Sequence, residues 1–221
     1  MAKLEPAPPR TGLEDRETRD AVIVHEYKRG ETVFLAGERP QSLYYILSGI
    51  VKMLATSTSG RSLITELYFE GERFSAIAAL HGDVYSCSAV CLTDCRLQLT
   101  SLDNFRRAFE GDPRLARRIV EMYQEKSHFQ RRMMVELAVG KGEQRAALAL
   151  LMLAGRLASA SDGRAVMPNF LTRQDFAELI GTTSETAIRI MSRFRKKGIV
   201  SESPEQVTVD LAALRAISGD D

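Results

Sequence analysis

The chain has 221 residues, 44% hydrophobic and 27% charged, with a net charge of +1. That length suits two domains with real cores, and the near-neutral total by itself points to no anionic partner. Three cysteines, an odd number with no CxxC pair, argue against a disulfide framework. No apolar run reaches the roughly 18 residues of a membrane span, and the N-terminus has no hydrophobic signal core. A soluble cytoplasmic protein without a membrane partner is expected.

Residues 1–21 are rich in Pro, Arg and Glu and too poor in apolar groups to pack, which predicts a flexible arm. From 22 to 111 the texture changes. Short apolar or alternating runs (22–27, 32–35, 42–47, 50–55, 62–68, 87–92 and 95–99) are separated by turns that carry Gly30, Gly37, Gly49, Gly60 and Gly71. Many short strands with glycine-bearing turns predict an all-β sandwich or barrel. Phe74–Leu80 reads as a short helical insertion, closed by His81-Gly82-Asp83.

Asp112-Pro113 predicts the start of a long helix over 112–139. Leu115, Ile119, Met122, Phe129, Met133 and Leu137 recur at heptad-like steps, with Lys126 filling the missing one. A helix this long needs a partner along its stripe, so these six residues are the expected dimer seam. Packing on its own domain is the alternative.

Gly140-Lys141-Gly142 breaks the helix and opens a last segment, 140–221. Between Gly140 and Val200 ten Lys or Arg face five acids, and the positive charge peaks at Arg193–Lys197. Helices are expected at 143–158, 172–180 and 184–197, with a hairpin over 199–209. The most specific stretch is Leu171–Val200, LTRQDFAELIGTTSETAIRIMSRFRKKGIV. Thr172 with Asp175 predicts a capped helix, Gly181 a tight turn, and Thr183 or Ser184 the cap of a second helix. On that helix Ala187, Met191 and Phe194 share the apolar side, and Glu185 and Arg189 share a polar side four residues apart. An ordinary surface ion pair would look the same. The basic end that follows favours a recognition helix, whose first turns read base edges while trailing cations meet phosphates.

These residues, together with Gly71-Glu72 before the short helix and the hinge at Gly140–Arg145, resemble the CRP/FNR superfamily of bacterial transcription regulators from about Tyr27 to Ala216. The resemblance implies an α+β chain. Its parts would be an N-terminal cyclic-nucleotide-binding-like β-barrel (jelly roll), a long dimerisation helix and a C-terminal winged helix-turn-helix. It also implies a homodimer on a palindromic promoter site, RNA polymerase as a partner, and control by a small effector or a redox or gas signal; activation and repression both fit. Glu185 and Arg189 stand at the positions that read a G·C-containing core. There a guanidinium can donate twice to guanine, and a carboxylate can accept from cytosine N4. Thr172, Thr183, Ser184, Ile188, Ser192, Arg193 and Lys196 complete the candidate DNA-binding set. Ser184 and Ile188 depart from both well-known half-site types, so neither half-site can be copied whole.

The effector is less legible. Cyclic-AMP binders of this family carry Gly-Glu-Leu and then Arg-Ser; here Phe74-Ser75-Ala76-Ile77 and Tyr85-Ser86-Cys87 stand in those places, without the carboxylate or the arginine that would pair with a phosphate. Phe74, Ser75, Ile77, His81, Tyr85, Ser86, Gln130 and Arg131 are the candidate effector residues. An iron–sulfur cluster needs four cysteine ligands, and Cys87, Cys91 and Cys95 cannot supply them. On one straight strand, residues four apart are separated by about 13 Å, which forbids a bridge between neighbours in this trio. Three small buried hydrophobes or a thiol redox switch both fit. Haem remains possible, with His81 or Cys87 as axial ligand; His25 and His128 are the other histidines. An enzyme is not expected, since no Ser-His-Asp order, HExxH, P-loop or GxGxxG stands out. A ligand-binding regulatory protein that does not touch DNA is the remaining alternative.

Overall fold

In the computed structural model, residues 23–161 and 163–219 are described; the expected arm at 1–21 lies outside them. The turn-rich segment folds as β1 (Ile23–Tyr27), β2 (Thr32–Phe34), β3 (Ser42–Ser48), β4 (Val51–Thr56), β5 (Ser62–Tyr68), β6 (Arg73–Phe74), α1 (Ala76–His81), β7 (Ser88–Cys91) and β8 (Cys95–Ser101). The strands form two four-stranded sheets, ordered β1-β8-β3-β6 and β2-β7-β4-β5. Pairing is antiparallel, with β1 against β8 from Ile23↔Leu99 to Tyr27↔Cys95. Alternation turns one side of each strand inward, and Phe34, Tyr44, Ile46, Val51, Met53, Tyr68, Phe74, Tyr85 and Leu97 share the interior.

Two helices follow. Ser101 caps α2 (Leu102–Gly111) by accepting from the Asn104 N–H, and Pro113 opens α3 (Pro113–Val139) as expected. Beyond Gly140 come α4 (Gly142–Leu157), β9 (Ser159–Ser161), β10 (Arg164–Pro168), α5 (Arg173–Leu179), α6 (Ser184–Lys196), β11 (Val200–Glu202), β12 (Gln206–Asp210) and α7 (Leu211–Ser218). The expected hairpin, β11–β12, is extended by β10 and β9 into one sheet, and α4 packs on α6 and α7. None of β9, β10 and α7 was anticipated from the pattern. They are short, and β9 lies in Ser-rich sequence.

The chain divides into two compact units. One holds the residues up to Met53 with Leu67–Met122; the other holds Leu54–Glu66 and the chain from Tyr123. The division falls inside α3, and the β4–β5 turn belongs to the second unit. There Gln130 on α3 donates to the Glu66 carboxylate at 2.9 Å and to the Thr65 carbonyl at 3.4 Å.

Much of the expected seam on α3 is covered within a single chain. Leu115 is 2% exposed, Ile119 4% and Met133 7% within a single chain. Met122 packs against the barrel interior, and Phe129 is half-buried. These side chains already have their cover in one protomer, because the most apolar stripe of a helix goes to the nearest large apolar surface. Of the six, Leu137 alone is classed as exposed. The apolar groups that α3 leaves to solvent are Val120 at 63%, Met134 at 65%, and Val135, Leu137 and Val139.

Candidate nucleic-acid interface

The local chemistry of α5 and α6 sets the site. The Thr172 hydroxyl accepts from the Asp175 N–H at 3.0 Å, and the Thr172 N–H donates to the Asp175 carboxylate at 3.0 Å. This reciprocal cap satisfies two of the free donors at the start of α5. The turn that follows runs through Gly181 at φ +61°, a left-handed conformation that suits glycine. A Cβ there would lie 2.5 Å from a methyl at the end of the exposed Leu137 side chain, which would have to swing aside, and 3.4 Å from one of Leu63. Thr183 then caps α6 by accepting from the Thr186 N–H at 3.3 Å.

On α6 the expected apolar residues Ala187, Met191 and Phe194 are buried, together with Ile190. Glu185, Ile188, Arg189, Arg193, Arg195, Lys196 and Lys197 are exposed, and Ser184 and Ser192 are half-buried. The structure therefore brings Thr183, Ser184, Glu185, Ile188, Arg189, Ser192, Arg193 and Lys196 onto one helix and its cap. Thr172 stands exposed at the head of α5. Arg189 is held by a donated bond to the Thr186 hydroxyl at 3.1 Å. Backbone N–H donation at the helix start and the Thr183 hydroxyl hold the Glu185 carboxyl below its ordinary value, and Arg189 adds to this. Arg193 pairs with Glu143 at 2.9 Å.

Three contributors escaped the sequence reading. Gln174, in the first turn of α5, accepts from the Ser184 hydroxyl at 2.6 Å and so ties the two helices together at their exposed ends. Arg173 makes a two-pronged contact with Glu202 on β11, both bonds at 2.9 Å, and Arg195 reaches the same carboxylate at 2.5 Å. Arg173 holds the Glu202 carboxyl below its usual range against a desolvation that would raise it, and Arg195 helps. Gln174 and Arg173 follow the cap residue Thr172 directly, so the motif itself could have flagged them. Glu202 is distant in sequence and could not be paired by spacing. Behind the turn, Arg145 on α4 donates to three backbone carbonyls, those of Ile180 at 2.7 Å, Glu136 at 3.2 Å and Gly140 at 3.3 Å. The end of α3, the hinge and the helix-turn-helix are thus held by one guanidinium.

The candidate effector residues do not converge in the same way. Phe74 and Tyr85 are interior packing residues: Tyr85 stacks on Phe34 with ring centroids 3.5 Å apart, and Phe74 stacks on Tyr44 at 4.9 Å. Burial pushes the Tyr44 and Tyr85 hydroxyls up. Ser75, at φ 68° the one non-glycine with positive φ among the described residues, donates to the Ser42 carbonyl at 2.9 Å. Ile77, His81, Ser86 and Arg131 are exposed, and Gln130 is engaged with Thr65 and Glu66. Haem fits poorly here. His81 stands at the exposed end of α1, and the aromatic stacks occupy the interior next to Phe74 and Tyr85.

Comparison with known proteins agrees with this layout. Residues 24–112 match the cyclic nucleotide-binding domain family, and residues 144–217 match the Crp-like helix-turn-helix domain family. The chain is 26% identical over 195 residues to the fumarate and nitrate reduction regulatory protein of Salmonella typhi, covering 87% of this chain and 77% of that one. It is 25% identical to the anaerobic regulatory protein of Haemophilus influenzae over 195 residues, covering 87% and 75%. Among solved structures, FixK2 from Bradyrhizobium japonicum superposes with a TM-score of 0.78 at 22% identity, over 89% of this chain and 97% of that one. A CooA variant from Carboxydothermus hydrogenoformans superposes with a TM-score of 0.73 at 15% identity, over 89% and 88%. No helix among the described residues is long and apolar enough to cross a membrane.

Proposed function

The chain belongs to the CRP/FNR superfamily of transcription regulators, and from that premise we propose that it acts as a homodimer on a palindromic promoter site, under control of a small effector or a redox or gas signal received by the barrel. RNA polymerase is the partner that such promoter binding would serve. The observation that carries the DNA reading is the two-sided character of α6: one side is buried, and the other offers Glu185, Ile188, Arg189, Arg193 and Lys196 to solvent. Arg189 and Glu185 would read base edges, Ile188 would pack on a thymine methyl, and Arg193, Lys196 and Thr172 would meet phosphates.

The second copy would dock on the side of α3 where Val120, Met134 and Leu137 are exposed, with Ala116, Tyr123, Ser127 and Gln130 half-buried between them. Ala116, Val120, Tyr123, Ser127, Gln130, Met134 and Leu137 alternate four- and three-residue steps, the spacing of a two-helix seam. This stripe is offset by one residue from the buried one. Val120→Glu combined with Met134→Glu should give a folded monomer by light scattering, and an intact dimer would rule this face out. The DNA reading is tested by selection from random duplexes. Recovery of a two-fold-symmetric site with half-sites about one helical turn apart is expected; recovery of unsymmetric sequence only would overturn it.

A further inference from the structure

Three polar side chains form a line across α5 and α6. Glu178, in the last turn of α5, is buried at 9% exposure. Gln174 lies four residues earlier, on the same side of the helix, and donates from Nε2 to the Glu178 carboxylate at 2.9 Å. The Ser184 hydroxyl, on the first residue of α6, donates to Gln174 Oε1 at 2.6 Å. Gln174 is exposed and Ser184 half-buried, so the line runs outward from Glu178. It ends on a hydroxyl next to Glu185 and one turn before Ile188, both exposed.

The direction of these bonds follows from the inner end. A carboxylate has acceptors only, and a buried one needs donors. The Gln174 amide therefore turns its NH2 group to Glu178 and its carbonyl to Ser184. The opposite amide orientation would set two acceptors against each other at 2.9 Å. An amide carbonyl cannot donate, so the Ser184 proton is committed to it. A serine hydroxyl has one proton and two acceptor lone pairs. With the proton engaged, Ser184 has only acceptor capacity left for another partner.

We propose that Glu178 and Gln174 are positioning residues that fix Ser184 as an acceptor, so that Ser184 selects adenine or cytosine over guanine or thymine on the strand it contacts. The inference rests on the reading of α6 as the recognition helix. In the major groove every base pair shows one amino-bearing base, with adenine N6 or cytosine N4, and one keto base, with thymine O4 or guanine O6. A serine hydroxyl free to rotate serves either kind. One held as an acceptor meets an amino group well and a keto oxygen badly. Phosphate oxygens accept only, so the same constraint removes Ser184 from backbone contact and groups it with the base-reading residues. Arg189 on the same helix can only donate. The two side chains thus ask for opposite partners, which makes the strand carrying each base matter.

The test compares full-length chains. Selection from random duplexes with the wild type and with Ser184→Ala locates the base pair in each half-site whose preference depends on Ser184. At that pair the wild type should bind duplexes with A or C on one strand roughly three- to tenfold more tightly than those with G or T, about the worth of one hydrogen bond. Gln174→Leu and Glu178→Gln should each bring this ratio close to one. Leucine leaves the hydroxyl unheld, and the amide made by Glu178→Gln donates as well as accepts, so Gln174 can take either orientation. Affinity for a scrambled duplex should stay the same, a readout that a general disturbance of the helices would move. Gln174 is exposed and tolerates leucine, so the test stands even if Glu178→Gln unfolds. A ratio that survives Gln174→Leu, a preference for G or T at that pair, or no pair affected by Ser184→Ala would overturn the inference and leave the DNA reading intact. Failure of the wild type to return any symmetric site would overturn both.

Discussion

On α6, Glu185, Ile188, Arg189 and Lys196 reach solvent while Ala187, Ile190, Met191 and Phe194 fill the core behind them. In the barrel, Phe74 and Tyr85 were candidates of the same standing, yet both are interior and stacked on Tyr44 and Phe34. A recognition helix separates packing from function by face, so its exposed side chains are free to meet a ligand. An interior strand or corner residue has no such second face. Its large side chain is already engaged, and a ligand would have to displace a ring to use it.

The difference gives the largest expected effect. Phe74→Ala removes a fully buried ring and should destabilise the barrel by about 3–5 kcal/mol in urea unfolding. Arg189→Ala should leave stability within about 0.5 kcal/mol, as exposed substitutions do. If Phe74→Ala proved nearly neutral, the ring would not be packing and its assignment to the effector would return.

Gly181→Ala comes next. The left-handed conformation costs a residue with a Cβ roughly 1–2 kcal/mol, and the new methyl would meet Leu137 at 2.5 Å. Chemical unfolding of the variant should show at least the first loss. Adding Leu137→Ala should remove the overlap but not the backbone strain, so only partial recovery is expected. Full recovery would mean that space alone fixes glycine here.

Within the recognition helix the contrast can be sharpened further. Arg189→Ala should weaken binding by about 1–3 kcal/mol and relax choice at the core guanine. Lys196→Ala should weaken all sequences alike and lower the salt slope by about 1. Equal effects of the two on a specific and a scrambled site would dissolve the division between base reading and phosphate contact.

What was legible in the sequence follows from how local each signal is. Thr172, Asp175, Gly181 and Thr183 act through bonds no more than a few residues long, and the helix-turn-helix was readable from them. The face of α3 was not. Two heptad-spaced stripes, one through Leu115, Ile119 and Met133 and one through Val120 and Met134, run side by side, and spacing alone cannot tell which is covered within the chain. That Cys91 and Cys95 lie on two different strands depended on whether the chain turns at Leu92–Asp94, where a Thr and an Asp bind partners at Ile50, Lys28 and Arg29 that lie far away in sequence.

The smallest effect concerns acid. Glu202 is held below its ordinary value by Arg173, with Arg195 adding to this, and Arg173 is held above its own by Glu202. A carboxylate lowered in the folded state lends stability that is fully present above its unfolded value of roughly 4.3 and is lost as pH falls through the folded value. Replacing Glu202 by Gln removes that contribution while keeping a similar shape. At neutral pH the wild-type chain should therefore be more stable than Glu202→Gln by a margin nearer the roughly 0.2–1 kcal/mol of exposed ion pairs than that of buried ones, since both arginines are partly exposed. The margin should shrink steadily below pH of about 4, as protonation gives the wild type the same neutral group. Thermal unfolding of both chains across that range reads it directly. A margin unchanged to strongly acid pH would mean that Glu202 holds Arg173 and Arg195 through shape and hydrogen bonding rather than charge.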